Sequence, residues 1–234
     1  MSRAKLGIIG GMGPQATQLF YQYVINRTDA LVDQDHIPVV IVSDTEMPDR
    51  TLALQENRFD DVFDKLLADA KLLEQCGCTV LAIPCNTSHY FVRRLQSRLS
   101  VQVVNMVRET AFALSKLHKK RPAILATDGV VRSDLYKIAC REVGIEAIYP
   151  DAETQRLVMS IIYDEIKRGE KGSRSTFSKI DSAVRDLGCD CAVLACTELS
   201  VFSVNHHLSS FYVDAMMVLA EKVVTACGYP LRVI

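Results

Sequence analysis

The sequence predicts an α/β fold: two similar subdomains, each a parallel sheet covered by helices, related by a pseudo-twofold axis with the active site in the cleft between them. Three observations carry this. Short apolar runs alternate with helical patterns along the whole chain, which implies parallel strands buried on both faces. A Gly-Cys pair sits seven residues before a second cysteine in GCTVLAIPCNT (Gly77–Thr87) and again in GCDCAVLACTE (Gly188–Glu198), from 85 − 78 and 196 − 189. Other landmarks repeat in the same order: KLGIIGGMG (Lys5–Gly13) with RPAILATDG (Arg121–Gly129), and Val104-Asn105 with Val213-Asp214. Matching landmarks in one order point to a duplicated β/α unit.

Taken in order, Lys5–Ile9 reads as a strand, followed by the turn Gly10-Gly11-Met12-Gly13-Pro14 and a helix marked by Ala16, Leu19, Phe20, Tyr23 and Val24. Ile37–Val42 reads as a second buried strand, and TEMPDRT as a loop carrying Asp49 and Arg50. Phe59, Val62, Phe63, Leu66, Leu67, Ala70 and Leu73 recur at helical spacing. The Cys85 strand, a short helix over His89–Arg98, a strand Val101–Val104 and a helix Met106–Leu117 complete the first half. The second half reads as a strand Pro122–Ala126 and a helix through Val131, Leu135 and Ile138. After these come a strand Ile145–Tyr149 and helices over Leu157–Ile166 and Phe177–Leu187. The Cys196 strand, a strand Phe211–Val213 and a helix Ala215–Ala226 finish it. The expected boundaries are residues 1–117, with a possible return of the helix in 215–234, and residues 118–234.

Composition narrows the function classes. At 234 residues and 49% apolar, the chain fills a full hydrophobic core. A net charge of −1 with mixed signs leaves no footprint for nucleic acid and no polybasic membrane patch. No apolar run approaches a membrane span, and the start lacks a signal-peptide pattern. A cytoplasmic protein is therefore expected, with its eight cysteines reduced. Cys76, Cys78, Cys140, Cys189, Cys191 and Cys227 read as small packing residues. The Cys-x-Cys pairs lack the spacing of zinc ligands, so no metal is expected.

Cys85 and Cys196 differ from the rest. Each ends a predicted strand and precedes polar residues: Asn86-Thr87 after the first, Thr197-Glu198 after the second. Ligands bind open α/β sheets at the carboxyl ends of strands. Orphan N–H groups of a following helix favour the reactive thiolate and hold a carboxylate. Two such thiols across one cleft suit inversion of a stereocentre, one removing the α-proton and the other protonating the opposite face.

Several segments resemble the aspartate/glutamate racemase superfamily, its aspartate racemase branch above all. They are GGMGPQAT (Gly10–Thr17), MPDRT (Met47–Thr51), PCNTSHYF (Pro84–Phe91), LATDG (Leu125–Gly129), CTEL (Cys196–Leu199) and Asp214. The resemblance implies a cofactor-independent racemase of an acidic amino acid, usually a homodimer, with aspartate the first substrate and glutamate the second. It implies Cys85 and Cys196 as the two bases and Arg50 on the substrate's side-chain carboxylate, with Lys167 as its partner. Met12, Asn86, Thr87, Thr127, Thr197 and Glu198 fall at positions that contact substrate. Glutamate racemases carry Asp-Ser in the first loop and histidine after the second Cys-Thr; Gly10–Gly13 and Glu198 depart from that.

Other readings remain open at this level. Gly11-Met12-Gly13-Pro14-Gln15-Ala16 fits a dinucleotide fingerprint, with Asp44 as the ribose acid, which would make an NAD-dependent oxidoreductase. Related carbanion-forming isomerases or decarboxylases, or a ligand-binding protein without turnover, share the scaffold. His89 reads as a residue that shapes the site, Tyr90 and Phe91 as packing, and His206-His207 as an exposed loop.

Overall fold

The computed structural model describes residues 4–233. Packing divides the chain into Met1–Met106 with Met216–Ile234, and Val107–Ala215. The first unit holds β1 (Leu6–Gly10), α1 (Pro14–Arg27), β2 (Val39–Ser43), α2 (Arg50–Gln55), α3 (Phe59–Gln75), β3 (Val80–Ala82), α4 (Val92–Gln96) and β4 (Gln102–Val103). The second holds α5 (Met106–Lys116), β5 (Pro122–Ala126), α6 (Asp128–Arg132), α7 (Leu135–Glu142), α8 (Ala152–Ser160), α9 (Arg174–Asp186), β6 (Cys191–Ala195), α10 (Thr197–His206) and β7 (Tyr212–Asp214). The last helix, α11 (Ala215–Ala226), belongs to the first unit.

Both sheets are parallel. The first runs β2-β1-β3-β4 and the second β5-β6-β7, with Ile148 bridging Ala123 on the outer side of β5. The central strands β1, β3, β5 and β6 are buried along their length, which is why they read as continuous apolar runs. β3 and β6, the two cysteine strands, hold equivalent places in their sheets.

The unit boundary lies at Met106–Val107, eleven residues before the expected one (117 − 106). α5 goes with the second unit because Thr110 is fully buried and hydrogen-bonds the Tyr136 hydroxyl of α7. The C-terminal segment is tied to the first unit. Ala4 N–H donates to Cys227 O at 3.1 Å, Asp29 N–H to Pro230 O at 3.0 Å, Arg232 N–H to Arg27 O at 2.8 Å, and Arg27 pairs with Glu221.

Several elements differ from the sequence expectation. β2 is an edge strand and only partly buried, with Ile41 39% exposed. The segment at Ile145–Tyr149 makes a single bridge through Ile148, and Pro150 follows it, with no N–H to extend a ladder. The helix through Val131 and Ile138 is two helices, broken where Asp134 takes φ 52°. The loop at Arg50 is the start of α2, capped by Asp49 Oδ1 on Leu52 N–H at 2.9 Å. α10 is expected only as a helix start after Cys196, with no range marked by an apolar period. Thr197–Phe202 are all buried, so no polar face gives a helical period. Cys76 is exposed and is not a packing residue, whereas the other seven cysteines are buried.

Candidate functional site

In the first unit, β3 stops at Ala82, and Cys85 follows as its N–H turns back onto Ile83 O at 2.7 Å. Cys85, Asn86, Thr87 and Ser88 are all buried, and Thr87–Tyr90 form one 3₁₀ turn. His89 closes that turn with Nδ1 2.9 Å from Cys85 O. A carbonyl only accepts, so Nδ1 carries the proton. Burial depresses the imidazole pKa to about 4, outweighing the main-chain bond to Cys85 that favours the charged form. His89 is therefore neutral at neutral pH and acts on the backbone of the cysteine loop. Phe91 is buried core, and Tyr90 is 43% exposed, stacked on Phe59 at 5.6 Å.

Met12 links this loop to Arg50. Ser88 Oγ donates to Met12 Sδ at 3.4 Å, and Met12 O accepts from Arg50 Nη2 at 3.3 Å. Arg50 Nη1 donates to Pro48 O at 3.0 Å and Met47 O at 3.4 Å. With 9% exposure, Arg50 is no surface arginine. A guanidinium held in carbonyl oxygens and stripped of water is a strong site for a carboxylate. Met12, Arg50, Cys85, Asn86 and Thr87 thus all lie in the first unit.

The glycine turn beside Met12 is shaped by the chain itself. Thr17 Oγ1 accepts from Gly11 N–H at 2.9 Å and donates to Gly13 O at 2.9 Å. A Cβ on Gly11, at φ +86°, would sit 2.4 Å from the Asp44 main chain. Asp44 itself pairs with Lys65 at 3.3 Å and caps Glu46 N–H at 2.8 Å. The features that suggested a dinucleotide fingerprint therefore serve internal packing.

In the second unit, Cys196 is the N-cap of α10. Its thiol donates to Glu198 Oε2 at 2.9 Å, and Thr197 Oγ1 donates to the same oxygen at 3.3 Å. All three residues are 7% exposed or less. Burial, then the Glu198 carboxylate, pushes the Cys196 thiol well above its ordinary range, while the Lys167 charge opposes them. Lys167 is exposed, on the 3₁₀ turn Ile166–Arg168. Thr127 is buried at the N-cap of α6, and Gln155 Nε2 fastens that turn through Ala126 O at 3.0 Å and Asp128 Oδ1 at 2.8 Å. Thr127, Lys167, Cys196, Thr197 and Glu198 thus all lie in the second unit.

Ser88, Gln155 and Ser200 escaped the sequence reading. Ser200 Oγ donates to Asp214 Oδ1 at 2.7 Å, tying α10 to the end of β7. A signal existed: Ser200 stands four residues after Cys196, as His89 does after Cys85. His206 is the last residue of α10, with Nε2 2.9 Å from Lys171 O and from Gly172 O, so only His207 is an exposed residue as expected.

The fold and sequence are shared with known proteins. An aspartate racemase from Picrophilus torridus superposes with a TM-score of 0.83 at 30% identity, covering 97% of this chain and 96% of its own. A broad specificity amino-acid racemase, RacX of Bacillus subtilis, is 25% identical over 228 residues, 94% of this chain and 96% of that protein. The glutamate racemase isoform RacE1 of Bacillus anthracis shares the fold, with a TM-score of 0.65 at 17% identity over 97% of this chain and 83% of its own. The model of the Asp/Glu/Hydantoin racemase family spans residues 9–223, and the chain belongs to that family.

Proposed function

We propose that this protein is a cofactor-independent racemase of an acidic amino acid, aspartate first and glutamate second, with Cys85 and Cys196 as its two bases. The observation that carries this is the Cys196–Glu198 contact: a buried thiol donates its proton to a buried carboxylate at 2.9 Å. A sulfur held in the protonated form is suited to give a proton to a carbanion. Its counterpart Cys85 lies three residues beyond the end of the equivalent strand β3, where Cys196 directly follows β6.

In one direction Cys85, as thiolate, takes the α-proton, and the electron pair left on carbon spreads into the α-carboxylate. The Cys196 thiol then gives its proton to the opposite face. The products are the mirror-image amino acid, a Cys85 thiol and a Cys196 thiolate, which is the starting state for the reverse direction. Arg50 binds the side-chain carboxylate, with Lys167 as its partner. Met12, Asn86, Thr87, Thr127 and Thr197 line the substrate. We assign the active form as a cytoplasmic homodimer; a monomer in sedimentation would remove that part.

The test is L-aspartate in deuterated water with purified protein and no added cofactor. Deuterium enters the α-position as optical rotation decays. Retention of the α-proton during loss of rotation removes the two-base reading.

A further inference from the structure

The helix that begins with α8 does not stop at Ser160. It passes through a π turn, Ile161–Glu165, then the 3₁₀ turn Ile166–Arg168, and ends at Gly169 with φ 86°. Gln155, Met159, Tyr163 and Lys167 recur along it every four residues. On an α-helix of 3.6 residues per turn such a stripe drifts round the axis. The π turn, with i→i+5 bonds, winds more slowly and keeps the stripe aligned.

The stripe has defined ends. Gln155 and Met159 hold the Thr127–Asp128 turn, the latter by accepting Asp128 N–H on Sδ at 3.4 Å. At the other end the segment packs on α10, which Cys196 caps. Ile161, Ile162 and Ile166 are buried and anchor it. Lys167 Nζ sits 4.1 Å from the centroid of the half-buried Tyr163 ring. Asp164 pairs with Arg168 at 3.1 Å, and Glu165 accepts from Ser173 N–H.

We propose that Tyr163 is a positioning residue whose ring face holds the Lys167 ammonium in the half-site of Cys196. A lysine on a four-carbon stem samples many rotamers, and an aromatic face narrows them. Two charged groups then bear on the Cys196 sulfur from different elements: Glu198 from α10 and Lys167 from the end of the α8 segment. This inference takes Cys196 as a working thiol, as in the proposed function, but its test does not need turnover.

The test follows alkylation of Cys196 by iodoacetamide from pH 7 to 11 in the full-length protein, read by peptide mass spectrometry. Tyr163→Phe keeps the ring and should follow wild type within about twofold at each pH. Tyr163→Leu should slow alkylation by roughly two- to fivefold at fixed pH, moving its midpoint upward. In a Lys167→Gln background Tyr163→Leu should add nothing. The proposal falls if Phe behaves like Leu, if Leu behaves like wild type, or if Leu has the same effect without Lys167. Tyr163→Met replaces Leu if melting shows that the Leu variant unfolds. Loss of deuterium exchange into aspartate with this pattern intact would overturn the racemase reading and leave the positioning role standing.

Discussion

The two cysteine loops share a frame and differ in what touches them. Each follows the corresponding buried strand, and each loop has a polar residue four positions after the cysteine. In the first, His89 grips the main-chain carbonyl of Cys85, and a neutral imidazole does the fastening. In the second, Glu198 bonds the sulfur of Cys196 itself, and Ser200 fastens the helix to Asp214. The two strands hold equivalent places in their sheets, while the residues beside each sulfur differ. On the proposed mechanism, a reaction whose substrate and product are mirror images would run on two thiols with different surroundings.

The largest test of that comparison removes each sulfur in turn. Cys85→Ser and Cys196→Ser should each lower racemisation by about 10²–10⁴-fold, the scale of a lost acid–base group. Wild-type turnover in either variant breaks the pairing. Next, Arg50→Ala should raise KM for aspartate by roughly 10- to 100-fold, as expected for loss of a hydrogen bond to a charged group. Equal losses for aspartate and alanine would remove Arg50 from side-chain recognition.

Acid stability separates the loops by a different route. The folded pKa of His89, about 4, lies below its ordinary value of 6.5, so the fold favours the neutral ring. Its contribution is complete above pH 6.5 and is lost as pH falls toward 4, about 3 kcal/mol in all. Urea melts of His89→Gln should show that slope flattened between pH 6.5 and 4; an unchanged slope places the acid sensitivity elsewhere. The smallest change is Glu198→Gln. Replacing the carboxylate with an amide should lower the pH midpoint for Cys196 alkylation and leave Cys85 alkylation unaltered. An unmoved midpoint would mean that burial alone governs that thiol.

Much of this was legible in the sequence, where the signal was burial or repetition. β5 occupies Pro122–Ala126 as expected, because a strand buried on both faces is a plain apolar run bounded by polar residues. The family followed from short motifs that the fold requires: Thr17 needs the glycines of the first turn, and Gly11 leaves room for the Asp44 backbone. What was not legible depended on the surroundings of an element. β2 is as apolar as an inner strand but lies on the sheet edge. α10 hides its helical period because its first turns are buried on every side. Arg50 reads as a carboxylate-binding loop residue, and its burial among three carbonyl oxygens at the start of α2 was not legible. The bond from Cys196 to Glu198 spans only two residues, and no residue pattern announces it, because it depends on the turn that α10 imposes.

The return of α11 to the first unit bears on the order in which the chain completes itself. Residues 107–215 are one uninterrupted stretch. The other unit is built from two stretches, and the later one supplies Met216, Leu219, Ala220, Val223 and Val224, all fully buried. The first unit therefore cannot close its core until residues that follow the second unit in the chain have been made, against the usual N-terminus-first order. A fragment of residues 107–215 should protect its amides from exchange, and one of residues 1–106 should not.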